Sequence, residues 1–379
     1  MIKVIGIKQK WRTVALAVML LYIMMTLVRS SSVPKHSPQT ELKSDKLALQ
    51  RELEKHSNWR ELGMDMHTSK SPQLPLLSTV RQQLSFQFPY EPKKGFQKNI
   101  WQTWKVGTES ADFPQPYRQF TNSWTSQNPT YKHNVISDAQ CDALVKDLYG
   151  SIPDVAEAWN SMPKSILKAD FFRYLILFAR GGVYSDIDTS GLKPVDEWIS
   201  NDSTVDDKTN QAGLVVGIEA DPDRPDWAEW YARRIQFCQW TIQAKKGHPM
   251  LRELIAKITE LTLDRKKKGQ LKKVLGKDVG GDIMNWTGPG IWTDMVFEYM
   301  NNIMQPEQNF KTRQYDEIVT WKMFTGLEKP MVVEDVLILP ITSFSPDVGQ
   351  MGAQSSSHPL AYAKHMFLGS WKQGDRATE

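Results

Sequence analysis

The sequence predicts an α/β protein built on one large catalytic domain, and three observations carry that expectation. A strand-like "NIWQTW" begins at Asn99, where a polar stretch ending in Gln97 and Lys98 gives way to apolar residues. A long apolar helix follows in "MPKSILKADFFRYLILFARGG", with Pro163 near its first turn and Gly181 just past its end. After the two glycines, "GVYSDIDT" reads as a short strand.

The composition supports a folded core. Of 379 residues, 40% are hydrophobic and 24% charged, which excludes a largely disordered chain. A formal net charge of +4 is small for this length and gives no reason to expect a nucleic-acid partner. Fourteen tryptophans suit either a core or an aromatic-lined pocket for a ring-shaped ligand.

The chain divides into four parts. Residues 1–12 carry Lys3, Lys8, Lys10 and Arg12, and residues 13–28, "TVALAVMLLYIMMTLV", hold no charge. That run spans about 24 Å as a helix, short against a hydrocarbon core of about 30 Å. No small-x-small cleavage site follows it, so the expectation is a retained signal anchor rather than a cleaved signal peptide. The basic flank stays cytosolic and the rest of the chain enters the lumen, and the short span suits a thin early-secretory or Golgi bilayer better than the plasma membrane. Residues 29–85, rich in Ser, Lys, Gln and Pro, read as a stem, and 86–379 as the catalytic domain. Cys141 and Cys238 lack metal-ligand spacing. Cys238 lies in "RRIQFCQWTIQ", which reads as a buried helix and makes it a core thiol. The run from Asp264 to Lys277 reads as a solvated lysine-rich loop. Asn201 and Asn285 open glycosylation sequons.

The chemistry gathers after the apolar helix. Phe171, Phe172, Leu175, Ile176, Leu177 and Phe178 cover nearly every face, so the helix is buried. Asp170 and Arg173 lie three apart on one face, as a structural clamp or as the wall of a polar site. Strand alternation places Asp186 and Asp188 on one face and Ile187 on the other. Two such carboxylates are costly together unless a cation or proton lies between them, and they suit a divalent ion with oxygen ligands. "DIDT" also matches in part the opening of haloacid-dehalogenase-type phosphatases, where the first Asp is a nucleophile. Here Thr189 follows Asp188 directly, and the apolar run that family places before its motif is reduced to Val183 and Tyr184.

The composite "LKADFFRYLILFARGGVYSDIDT" resembles the core of the glycosyltransferases that share the DxD sugar-binding region of fungal α-1,6-mannosyltransferases; the clostridial glucosylating toxins carry a related version. The likeness extends through "IWQTWKVG", "GLVVGIEADPDRPDWAEWYARRIQFCQWTIQAKKGHPMLREL", "GGDIMNWTGPGIWTD", "VLILPITSFSPDVGQMGAQSS" and "KHMFLGSW", over about residues 86–371. It implies a GT-A fold with a mostly parallel, Rossmann-like sheet, a GDP-mannose donor, Mn²⁺, and a high-mannose N-glycan acceptor. It implies that Asp186 and Asp188 hold the metal, with His365 as a third ligand. Asp170 and Arg173 then contact the donor sugar or phosphates, and Trp101, Gln102, Trp104, Tyr184 and Trp371 border the nucleotide. An α-linked donor giving an α-linked product means retention. None of Asp282, Asp294, Glu334 or Asp335 is singled out as a nucleophile, so same-face attack is expected, with Arg173 stabilising the departing diphosphate. Two other classes compete: a phosphosugar phosphatase, and a non-catalytic Golgi subunit keeping the fold as a scaffold. The charged cluster argues against the scaffold, which has no need of it.

Overall fold

The computed structural model describes residues 79–222, 224–272, 282–303, 318–349 and 351–369. The expected anchor, nearly all of the stem and Trp371 lie outside the described residues. Among those described, no helix is long and apolar enough to cross a membrane.

Alternating helices and short apolar strands build a single central sheet. In chain order the strands are β1 (Asn99–Trp104), β2 (Lys132–Ser137), β3 (Gly182–Ser185), β4 (Thr189–Gly191), β5 (Thr204–Val205), β6 (Lys208–Thr209), β7 (Leu214–Ala220), β8 (Gln236–Phe237), β9 (Thr241–Ala244), β10 (Met331–Val333), β11 (Val336–Leu339) and β12 (Ala363–His365). The main sheet runs β10-β11-β7-β9-β3-β1-β2, with β8 also paired to β7. β2, β1, β3, β7 and β11 point one way; β9, β8 and β10 run against them. The sheet is therefore mixed and mostly parallel in direction. Its middle strands β3, β7, β9 and β11 are buried nearly throughout, and β7 and β11 accordingly read as near-continuous apolar runs, while β3 and β9 bury Ser185, Thr241 and Gln243 as well.

Helix Ser165–Arg180 packs on β1, β3 and β9 and covers one face. On the other face Val183, Val215, Leu337 and Leu339 pack with Trp124, Trp198, Phe344 and Tyr362. The helix stops where expected: Gly181 takes φ 65° and donates its N–H to the Leu177 carbonyl. A Cβ at Gly181 would lie 2.8 Å from the Lys246 nitrogen and closer still to Gln97, so glycine is required there on two counts. The helix begins at Ser165, two residues beyond Pro163.

Three local expectations are corrected. The strand after the glycines ends at Ser185, and residues 186–188 form a turn into β4, closed by the Thr189 N–H donating to the Asp186 carbonyl at 3.1 Å. "RRIQFCQWTIQ" is not a helix but carries β8 and β9; strands of two and four residues are too short for a period to separate strand from helix. Asp264–Lys267 closes helix Pro249–Lys267, where its cations suit the negative end of the helix dipole. Residues 273–277 of the expected loop lie outside the described residues. The folded region also reaches back before Phe86. Helix Val80–Gln87 buries Leu84 and holds Arg81 against Glu253 at 2.6 Å, on helix Pro249–Lys267. Cys141 and Cys238 are both buried and unpaired, as a core-thiol reading requires.

Candidate active site

The turn after β3 lies at the end of the parallel strands, where the chain must leave the sheet and side chains can converge on a ligand. Its geometry is fixed from below. The Asp186 carbonyl accepts hydrogen bonds from Thr189 Oγ1 at 2.6 Å and from Gln102 Nε2 at 3.0 Å. Ser185 Oγ joins Thr189 Oγ1 at 2.7 Å and Thr241 Oγ1 at 2.8 Å. Ile187 is buried against Phe113 and Tyr117, so it anchors the turn while its two neighbours carry the charge.

Three potential ligands meet above the turn. One ligand atom each from Asp186, Asp188 and His365 lies within 4.8 Å of the others. His365 arrives because β12 pairs antiparallel with β4, placing His365 opposite Thr189. Its Nε2 lies 3.4 Å from Asp188 Oδ1, and its Nδ1 accepts the Phe367 N–H at 2.8 Å. Asp188 is held by the Leu368 N–H, 3.1 Å from Oδ2, and its carbonyl accepts the Met366 N–H. Burial lowers the His365 pKa against the pull of Asp188 and Asp186, favouring the neutral imidazole that a metal ion needs. Burial also raises Asp186, helped by the Asp188 charge and opposed by Arg173. Carboxylate oxygens with one imidazole form a donor set suited to a divalent ion such as Mn²⁺.

Beside this cluster the helix contributes its buried ion pair. Arg173 Nη2 lies 2.9 Å from Asp170 Oδ1 and 3.3 Å from Asp186 Oδ1, so one guanidinium joins the helix carboxylate to the turn. Burial pushes Asp170 up to about 6 against the pull of Arg173. Arg173 Nη1 donates to the Gln239 carbonyl at 3.1 Å, while its shielded Nε has no partner. Trp240 Nε1 is likewise shielded and unpartnered, and its ring lies 4.7 Å from that of His365. Two orphaned N–H donors beside a potential cation site fit an anionic ligand such as a diphosphate.

The expected aromatic residues are placed unequally. Trp101 is 2% exposed and donates to the Gly181 carbonyl at 3.0 Å, holding the glycine turn. Gln102 is fully buried, bonded to the Asp186 carbonyl and, at 2.9 Å, to His133 Nε2. Tyr184 is buried under the Arg173 guanidinium, 5.2 Å from its ring centre, with its hydroxyl at Thr103 Oγ1. Trp104 is half-buried at the end of β1 and packs edge-on against Tyr117. Three neighbours escaped the sequence reading. Gln239 contacts Asp170 at 3.4 Å and accepts from Tyr174 at 2.7 Å, Thr287 Oγ1 donates to Asp170 Oδ2 at 3.1 Å, and Trp240 faces His365. All three lie within the motifs "RRIQFCQWTIQ" and "NWTGPG", but only the folded chain brings Gln239 and Thr287 to Asp170 and Trp240 to His365. The four acidic residues left open lie in other settings. Asp282 pairs with Arg265, Asp294 with Arg233, and Asp335 with His248, while Glu334 sits in a turn at φ 54°.

Glu219, near the end of β7, differs from these. Its Oε2 is shielded and without a hydrogen-bond partner, and burial raises the carboxyl to about 8, opposed only by Gln236. Between the ordinary 4.5 and about 8 the folded protein keeps a proton that the unfolded chain releases, so this group makes stability fall as pH rises through that window. Glu219→Gln should melt above the wild type at pH 8 and close to it at pH 4. Melting curves across that range check this, and an unchanged slope would refute it.

Residues 114–205 match the family described as the glycosyltransferase sugar-binding region containing the DXD motif. The chain is 64% identical to the initiation-specific alpha-1,6-mannosyltransferase of Candida albicans over 94% of its own length and 93% of that protein. It is 41% identical to the Saccharomyces cerevisiae protein of the same name, over 78% of this chain and 82% of that one. Among solved structures, the PaToxG glycosyltransferase aligns with 58% of this chain and 75% of its own, at 18% identity and a TM-score of 0.36.

Proposed function

Because the chain belongs to the family of the initiation-specific alpha-1,6-mannosyltransferases, we propose that it transfers mannose from GDP-mannose, in α-1,6 linkage and with retention, to the high-mannose core of N-glycans. The observation that carries the reading is the convergence of Asp186, Asp188 and His365 within 4.8 Å, with Arg173 bridging Asp170 and Asp186 beside them. The names of the relatives supply the sugar, the linkage and the place in glycan assembly. They leave the phosphatase and scaffold readings without support.

Asp186, Asp188 and His365 would hold Mn²⁺, which would neutralise charge on the donor diphosphate. Arg173, fixed by Asp170 and the Gln239 carbonyl, offers its unpartnered Nε to the departing phosphate. Asp170 is bonded to Thr287 and Gln239, two neutral groups that would orient hydroxyls of the bound sugar. The acceptor oxygen bonds to the mannose C1 on the face from which the C1–O bond to the diphosphate breaks, and the departing diphosphate takes the acceptor's proton. The basic start of the chain and the charge-free run at 13–28 support a Golgi type II protein with this domain lumenal.

The test is incubation of the full-length protein in detergent with GDP-mannose, Mn²⁺ and a high-mannose glycan, followed by linkage analysis. One added hexose in α-1,6 linkage is expected. Release of free phosphate from a sugar phosphate without transfer would overturn the proposal.

A further inference from the structure

A second surface lies at the same end of the sheet. β7 runs parallel to β3 through the antiparallel β9 between them, so both strands end on the edge where Asp186 sits. The segment from Asp221 to Ile235 leaves the end of β7 and returns as β8. Immediately afterwards Gln239 and Trp240 form part of the site wall. On its other flank Arg233 reaches Asn285 at 3.1 Å, two residues before the Thr287 that holds Asp170. The segment therefore joins the active site through its C-terminal end.

The segment displays one large ring to solvent, and a second ring from elsewhere in the chain lies against it. Trp230 is 62% exposed with the Arg224 guanidinium 5.7 Å from its ring centre; Trp321, from the turn Trp321–Met323, is 38% exposed with the segment's Arg234 at 4.9 Å. Trp321 is held rigidly: Asp221 accepts hydrogen bonds from Thr325 Oγ1 at 2.8 Å and the Gly326 N–H at 2.6 Å, while Phe324 packs on Phe237 and Phe297. Around the rings, arginines are matched with aspartates: Arg224 with Asp226, Arg233 with Asp294 and Arg234 with Asp221. At the root of the segment Gln236 accepts the Ala232 N–H at 2.9 Å and fixes where the segment rejoins the sheet.

The chemistry selects the occupant. A protein partner would want contiguous apolar surface, but here each ring is set among charges. A polyanion would want net positive charge, but these arginines are paired with carboxylates. A hexose presents an apolar C–H face and a polar hydroxyl rim, matching a flat ring bordered by fixed donors and acceptors. We propose that Trp230 and Trp321 form a platform for the outer residues of the oligosaccharide acceptor, beyond the sugar at the reacting centre. This rests on the mannosyltransferase reading for the identity of the sugar. The platform supplies affinity for the large glycan and takes no part in the chemical step.

Equilibrium binding of a fluorescently tagged high-mannose N-glycan to the full-length protein, without donor or metal, tests the platform separately from transfer. Trp230→Ala and Trp321→Ala should each weaken binding about tenfold (about 1.4 kcal/mol). Trp230→Phe should restore most of it, and the KM for GDP-mannose should not change in any variant. Dissociation constants equal to wild type in both alanine variants, or no binding by the wild type, would overturn the platform. Failure of the mannosyltransferase reading would instead show as normal glycan binding without transfer.

Discussion

Asp186→Ala and Asp188→Ala are each expected to reduce mannosyl transfer by about 10²–10³-fold, the range found when a group stabilising transition-state charge is removed. Asp186→Ala should do so without lowering the melting temperature. Its carboxylate is 26% exposed and crowded by Asp188, and burial raises its pKa, so in the metal-free protein its charge is a burden. Arg173 keeps Asp170 when Asp186 is lost. Activity lost at unchanged stability separates a ligand-holding role from a structural one. Steady-state rates and thermal melts of the same preparations give both numbers. A melting temperature that falls in proportion to activity would contradict the assignment.

Arg173→Ala carries the opposite signature. It leaves Asp170, 2% exposed, facing Asp186 with no cation between them. Removing one partner of a buried ion pair costs about 3–5 kcal/mol, which for a chain of this size lowers the melting temperature by roughly 10 °C. Transfer should be lost as well, since the free Nε goes with the side chain. Asp170→Asn should be milder, because an amide can still accept from Thr287 and Arg173 retains Asp186. Arg173→Lys should fall between them. It keeps the charge but loses the fork that reaches Asp170 and the Gln239 carbonyl together. The predicted order of stability, Asp170→Asn above Arg173→Lys above Arg173→Ala, is read by melting curves.

What could be read before folding was local. Spacing along the helix put Asp170 and Arg173 on one face, and their ion pair spans i to i+3. The glycine after the helix required a left-handed residue, and Gly181 adopts φ 65°. What the sequence left hidden arises from tertiary placement. Gln239 and Thr287 reach Asp170 only because the β8–β9 connection and the start of helix Pro289–Glu298 meet over helix Ser165–Arg180. The β8–β9 region was mistaken for a helix because strands of two and four residues, buried throughout, give no period to detect. The aspartates lie on a turn rather than along a strand, yet Ile187 is still buried opposite them, since a turn closed at Thr189 also sends neighbouring side chains apart. Trp101 and Gln102 belong to a strand beside β3, and burial there commits them to supporting the turn from beneath.

Asp186, Asp188 and His365 are proposed to hold the divalent ion that anchors the donor diphosphate. Titration of the full-length protein with Mn²⁺ in the presence of GDP, with free Mn²⁺ followed by electron paramagnetic resonance, tests this most directly. One bound ion per chain is predicted, weakened in His365→Ala and lost in the Asp186→Ala, Asp188→Ala double variant. Unchanged stoichiometry and affinity in the double variant would place the ion elsewhere.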